Sequence, residues 1–394
     1  MVLTNKQEQA LKLAVQRYRL GEAYTCISGY AGSGKTTLIR FIIAALGLDP
    51  DLDVAYVAYT GKAATVLKQK GCTNAVTAHK LLYHAKPLPD GRYFFTPKKK
   101  FEEDYKLIVV DEVSMLPKEL WELLLSHRIH ILACGDPAQL PPVGTTEVPE
   151  VLAHPHIFLD EILRQAQESE IIRLSMHIRE GKPLSLFPCQ SQEVQIFEKH
   201  DFTLDMCAWA DQVLCATNAT RHQLNLAMRE AKGLSGSPQI GDKIIGLHNE
   251  WDFLSSLGNP LTNGVIGTIT RLKEDNLRGP NWMVPNKVPI YNVDFCTDDN
   301  DTFNQVFIDQ QAINEGKKFL TPQQEYQMRK DLRSNDPPFD FAYAYAITTW
   351  KAQGSQWNKV LVVEEGFPYG TEEHKKFLYT AATRAAEKLV MIKK

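Results

Sequence analysis

Gly29-Tyr30-Ala31-Gly32-Ser33-Gly34-Lys35-Thr36 stands between an apolar run, residues 24–28, and a stretch of helical apolar spacing, residues 36–46. The string fits G-x-x-x-x-G-K-[ST], the phosphate-binding loop, and strand–loop–helix is the context that gives this pattern its meaning. The glycines let backbone N–H groups wrap a phosphate, and the following helix turns its positive N-terminus to the same anion. Gly29, Ala31, Gly32, Ser33, Gly34, Lys35, Thr36 and Thr37 are therefore candidate nucleotide-binding residues. Lys35 is expected to reach the β- and γ-phosphates, and the Thr36 hydroxyl to bind Mg²⁺. ATP and Mg²⁺ are the cofactors implied.

Outward from the loop the rhythm repeats. Residues 54–58, 106–110 and 129–134 are short apolar runs separated by helix-like stretches, the pattern of a parallel sheet covered by helices. The third run ends in Asp111-Glu112. An acid at this point in a P-loop enzyme holds the magnesium, so Asp111 joins Thr36 as a metal candidate. Glu112 is then placed to polarise the attacking water. Gly135-Asp136-Pro137-Ala138-Gln139-Leu140-Pro141-Pro142 follows the next strand. Gln139 sits at a strand's carboxyl end, where parallel sheets bind ligands, and is a candidate detector of the γ-phosphate.

Residues 83–106 interrupt this order. Asp90-Gly91 is a hairpin-turn signal and Tyr93-Phe94-Phe95 suits a strand, so a β-hairpin is expected there. Alternation returns over 157–232, with a helix at 169–181, a strand at 212–216 and a helix at 219–232. From 238 the strand-like segments 242–247, 264–271, 289–295 and 302–308 are joined by Gly, Pro and Asn turns, which reads as a small β module with a helical piece near 322–332. Asp336-Pro337-Pro338 marks its exit, and strands are expected at 360–363 and 389–392. At 394 residues the chain has room for two or three domains.

With 44 Lys and Arg against 47 Asp and Glu, any nucleic-acid binding must rest on local patches rather than a global field. Seven scattered cysteines without a C-x-x-C pair argue against a disulfide framework and a zinc site. The N-terminus lacks the apolar core of a signal peptide and no run is long enough to span a bilayer, so the expectation is a soluble cytoplasmic protein with no membrane partner.

The P-loop, Asp111-Glu112-Val113-Ser114-Met115, Gly135-Asp136-Pro137-Ala138-Gln139-Leu140 and Tyr379-Thr380-Ala381-Ala382-Thr383-Arg384-Ala385 occur in this order. Together they resemble superfamily-one helicases of the RecD and Dda branch, and the resemblance runs from Leu3 to Ile392. It implies an α/β fold of two tandem RecA-like P-loop NTPase domains with an inserted β-hairpin and an inserted SH3-like β module. Their expected extents are 1–150 with the hairpin at 83–106, 151–237 with 340–394, and 238–339 for the module. It also implies further site residues. Gln7 would contact the adenine base. Arg164, in Leu163-Arg164-Gln165, and Arg384 would meet the γ-phosphate from the second domain and stabilise charge on the phosphoryl oxygens. Thr60 and Lys62 in Ala58-Tyr59-Thr60-Gly61-Lys62-Ala63-Ala64, and His79 in the following motif, would contact DNA; Tyr59 replaces the family's usual proline. Thr348, Trp350 and Lys351 belong to the coupling motif, in which Trp350 replaces a usual histidine and Gln356 a usual acid. The hairpin would be a pin that splits the duplex, with Phe94 and Phe95 as its wedge.

The resemblance implies an ATP-dependent helicase that moves 5′→3′ on single-stranded DNA and opens forked duplexes, working as a monomer alongside replication or single-strand-binding proteins. A non-enzymatic binding module with a dead site is disfavoured by the intact Lys35, Asp111, Glu112 and Arg384, and two further rival classes remain open on sequence grounds. One is an RNA-directed motor, separable by competition between matched DNA and RNA strands. The other is a P-loop ATPase or kinase acting on a non-nucleic-acid substrate, separable by whether single-stranded DNA stimulates ATP hydrolysis.

Overall fold

A computed structural model describes residues 3–87, 93–141, 149–161, 168–281, 286–331, 335–366 and 371–394. The chain folds as two compact units. One comprises 1–82, 98–221 and 347–394; the other comprises 83–97 and 222–346.

The first unit holds two parallel sheets. The six-stranded sheet runs, in spatial order, Val76–Thr77, Val54–Ala58, Leu107–Val110, His130–Gly135, Tyr24–Gly29 and Ile157–Leu159. Every pair in it is parallel, so each connection crosses over through a helix or loop. The sheet is buried on both faces, which is why its central strands read as unbroken apolar runs. Helix Lys35–Leu46 packs on it through Leu38, Ile39, Ile42 and Ile43, all buried at helical spacing. The second sheet has the order Ala346–Thr348, Gln212–Cys215, Trp357–Val363, Ala385–Lys393, Val194–Glu198. The fold is thus mixed α/β with two parallel sheets. The expected strands at 24–28, 54–58, 106–110, 129–134, 212–216, 360–363 and 389–392 are present within a residue or a few. Four short strands, Val76–Thr77, Ile157–Leu159, Val194–Glu198 and Ala346–Thr348, come in addition.

The second unit is built on a five-stranded antiparallel sheet, Thr302–Asp309, Lys287–Thr297, Ile266–Arg278, Lys243–Gly246, Phe341–Tyr343. Its core is aromatic: the Phe295 ring stacks on Phe303 at 5.0 Å and meets Phe341 edge-on at 5.6 Å. The hairpin strands Tyr83–Pro97 pair antiparallel as Tyr83–Pro87 with Tyr93–Pro97, and belong to this unit rather than to the six-stranded sheet's. The expected turn Asp90-Gly91 lies outside the described residues.

Arg229 anchors the entry to this unit. Its Nε and Nη2 donate to the two Asp242 carboxylate oxygens at 2.8 and 3.0 Å, and Nη1 and Nη2 also donate to the Gly236 and Ser237 carbonyls. Both charges are buried, at 3% and 0% side-chain exposure. Removing one member leaves the other charge uncompensated, so Arg229→Ala should cost about 3–5 kcal/mol. Urea unfolding followed by circular dichroism checks this; an unchanged transition would contradict it.

Candidate active site

The P-loop follows strand Tyr24–Gly29 and ends at Gly34, whose φ of 78° starts the helix. The Lys35 ammonium lies over the loop and donates to the Gly29 carbonyl at 2.6 Å and the Tyr30 carbonyl at 3.1 Å. Gln7 is buried; its Oε1 accepts from the Thr4 N–H at 3.0 Å and its Nε2 donates to the Ser33 carbonyl at 2.9 Å. It braces the first helix against the P-loop, and one Nε2 hydrogen and one oxygen lone pair remain for a base edge.

Asp111 and Glu112 close the adjacent strand. The Asp111 carboxyl is held above the usual range first by burial and then by the Glu112 charge, with Lys35 pulling the other way. Glu112 has a left-handed φ of 56°, uncommon for a residue with a Cβ and typical of functional positions. Its Oε2 is buried without a hydrogen-bond partner among the described residues, and so is Gln139 Oε1. Two orphaned acceptors beside an ammonium and a hydroxyl-bearing loop fit a hydrated cation and a polyphosphate. Among the described residues there is no group of three or more His, Cys, Asp or Glu side chains suited to a metal, so Thr36 and Asp111 would share the ion with phosphate and water, as magnesium prefers.

The second sheet reaches this site through residues not singled out in the sequence. The Tyr379 hydroxyl accepts from the Ala31 N–H at 3.0 Å and donates to Asp136 Oδ2 at 2.5 Å. Leu140 is held at both ends: its N–H donates to Thr380 Oγ1 at 2.9 Å, and its carbonyl accepts from Gln353 Nε2 at 2.9 Å. The loop carrying Gln139 is thereby fixed to the other sheet. Thr380 lies inside a motif quoted above and Gln353 inside the coupling motif, residues 346–356, but their partners are more than 200 residues away in sequence.

Arg384 is buried one turn beyond Tyr379. Its guanidinium donates to the Thr380 carbonyl at 3.0 Å, the Ser355 carbonyl at 3.3 Å and Thr383 Oγ1 at 3.1 Å, which orient it from its own sheet. Two of its five N–H groups remain for a phosphate. Arg164 lies outside the described residues.

The nucleic-acid candidates divide. Thr60 Oγ1 accepts from the Ala63 N–H at 3.2 Å, capping helix Gly61–Gln69, and its own hydroxyl hydrogen stays available. Lys62 sits in the first turn of that helix. Gly354 of the coupling motif abuts the same turn: a Cβ there would lie 2.7 Å from the Ala63 Cβ, and its φ is +76°. Only glycine meets both demands. The Tyr59 ring, at the position that departs from the family pattern, is tilted 6.1 Å from His79. Trp350 is half-buried and tilted 6.4 Å from Phe377, while Thr348 is buried and Lys351 exposed. In the hairpin, Phe94 and Phe95 are 56% and 44% exposed on opposite faces of the strand. Phe95 packs edge-on to Tyr83 at 5.6 Å.

A family model described as an AAA domain matches residues 2–202, and one described as a UvrD-like helicase C-terminal domain matches residues 343–392. The ATP-dependent RecD2 DNA helicase of Deinococcus radiodurans is 27% identical over 389 residues, covering 93% of this chain and 46% of that protein. The ATP-dependent DNA helicase dda of Enterobacteria phage T4 is 27% identical over 189 residues, 46% of this chain and 43% of that protein. The chain thus spans less than half the length of these curated relatives. Among solved structures, Pif1 helicase from Bacteroides in complex with ADP-AlF3 and ssDNA aligns with a TM-score of 0.57 at 18% identity, over 99% of this chain and 92% of that one. Pif1 helicase from Candida albicans aligns with a TM-score of 0.53 at 19% identity, over 100% and 94%. At these identities the two structures speak for the fold. No helix among the described residues is long and apolar enough to cross a membrane.

Proposed function

We propose that this chain, which belongs to the AAA-domain family and to the RecD- and Dda-like branch of superfamily-one helicases, hydrolyses ATP to move 5′→3′ along single-stranded DNA and to open duplex DNA at a fork. The observation that carries the reading is the two-sided site. Lys35, Asp111 and Glu112 stand on one sheet, and Tyr379, Thr380 and Gln353 of the other hydrogen-bond to its P-loop and to the Gln139 loop.

Lys35 and the P-loop amides bind the triphosphate. Thr36 and Asp111 hold Mg²⁺, which when bound neutralises phosphate charge. Glu112, with its free buried oxygen, accepts a proton from the attacking water. Arg164 and Arg384 supply cations to the terminal phosphate from the second lobe. Because the walls of the site belong to two sheets, a change in the terminal phosphate changes how tightly the lobes are held. Gly354 against Ala63 links that motion to the Thr60 and Lys62 turn, where the strand's phosphates would lie. Thr348, Trp350, Lys351 and His79 complete that path, with bases stacking rather than being read. The five-stranded antiparallel sheet serves as the SH3-like module of the family, and the hairpin as its pin.

Unwinding of 5′-tailed against 3′-tailed duplexes with ATP tests activity and direction together. Opening of the 5′-tailed substrate alone is the expected result; opening of the 3′-tailed one alone would overturn the direction. The hairpin makes a separate prediction. Phe94→Ala should slow duplex opening several-fold and leave ATP hydrolysis on single strands unchanged, since the exposed ring is the one free to wedge between bases. Equal loss of both activities would make the hairpin structural.

A further inference from the structure

The second lobe grips two consecutive residues of the P-loop. The Arg179 guanidinium lies 3.3 Å above the Tyr30 ring, whose other contact is the edge of Phe158 at 4.7 Å. The Tyr379 hydroxyl takes the N–H of Ala31 and passes its own proton to a hydrogen bond with Asp136. Tyr379 is 1% exposed and Asp136 1% exposed, so neither group has water as an easy alternative. A P-loop N–H is a donor for phosphate, and here a phenol oxygen from 348 residues away occupies it. Lys35 is likewise turned onto the loop's own carbonyls at Gly29 and Tyr30.

Beside these contacts lies a cavity of about 190 Å³ lined by Tyr30, Arg179, Lys375, Lys376, Tyr379 and Glu372, with Pro137 and Ala138. Lys375 is paired with Glu372 at 2.5 Å, and Lys376 lies in the field of Glu372 and Glu373, so three cations, Arg179 among them, share the wall with a single acid. Arg179 Nη1 is buried without a hydrogen-bond partner among the described residues. An anion entering here is attracted, and it meets a donor already stripped of water.

We propose that Tyr379 is a positioning residue that holds the Ala31 amide until a polyphosphate takes it, so that nucleotide binding and release of the second lobe's grip on the P-loop are one event. Arg179 is the neighbouring cation that draws the phosphate in. The inference rests on the reading of the P-loop as a nucleotide site. It differs from the arginine contacts of that reading, because Tyr379 works by competing with the ligand rather than by stabilising it.

Competition has a sign that a packing role does not have. Tyr379→Phe keeps the ring and deletes the competing oxygen, so it should tighten binding of Mg-ATPγS, and of sodium tripolyphosphate as a base-free probe. The expected gain is about 3- to 10-fold by isothermal titration without DNA, the scale of one hydrogen bond. Hydrogen exchange in the wild-type chain supplies a second reading that needs no variant. The Ala31 amide should be protected without nucleotide. Equal or weaker binding by a folded Tyr379→Phe variant, or an unprotected Ala31 amide in the wild type, would overturn the proposal. Failure of the wild type to bind either probe would remove the nucleotide reading itself.

Discussion

Lys35→Ala is expected to lower ATP turnover by about 10³-fold or more while leaving affinity for single-stranded DNA within a few-fold of wild type. Phosphoryl transfer offers the protein little covalent work, so its contribution is positioning and charge stabilisation. Lys35 is the cation on the P-loop itself, and the carbonyls that hold its ammonium, Gly29 and Tyr30, belong to the loop that would wrap the phosphates. The strand-binding candidates Thr60 and Lys62, at the start of helix Gly61–Gln69, and Thr348, at the end of strand Ala346–Thr348, stand on other elements, so they should survive the change. Steady-state hydrolysis and fluorescence anisotropy of a labelled oligonucleotide measure the two quantities. Preserved hydrolysis would contradict the P-loop assignment.

Glu112→Gln should separate binding from chemistry. The amide keeps the shape and loses the base, so turnover should drop about 10²- to 10⁴-fold. Nucleotide affinity should stay within a few-fold, because the triphosphate is held elsewhere. The left-handed backbone at this residue is a property of the turn and is retained by glutamine at similar strain. A variant that loses nucleotide binding in step with turnover would place Glu112 among the binding groups and leave the base unassigned.

The nucleotide wall of the site was legible in the sequence because its parts are local. A glycine-rich turn, a lysine and an apolar strand ending in two acids each carry their meaning within a few residues. The central strands were equally clear, since burial on both faces makes Val54–Ala58 and Leu107–Val110 continuous apolar runs. Edge strands carry less signal. Val76–Thr77 has two residues, and Val194–Glu198 buries only Val194 fully. The opposing wall was read from the family resemblance, which points to arginines, and so the tyrosine five positions before Arg384 was passed over. Its partners Ala31 and Asp136 can only be found in three dimensions. The hairpin shows the same limit: 83–97 is inserted between elements of the six-stranded sheet, yet it falls in the same compact unit as the antiparallel sheet.

ATP hydrolysis by the purified chain, with and without a single-stranded DNA oligonucleotide, bears most directly on the two-walled motor. Stimulation of at least about tenfold is expected on this proposal, because a strand held at the Thr60 and Lys62 turn would act through Gly354, which abuts that turn, on the sheet that reaches the P-loop. Hydrolysis that proceeds at the same rate whether or not the strand is present would contradict the account.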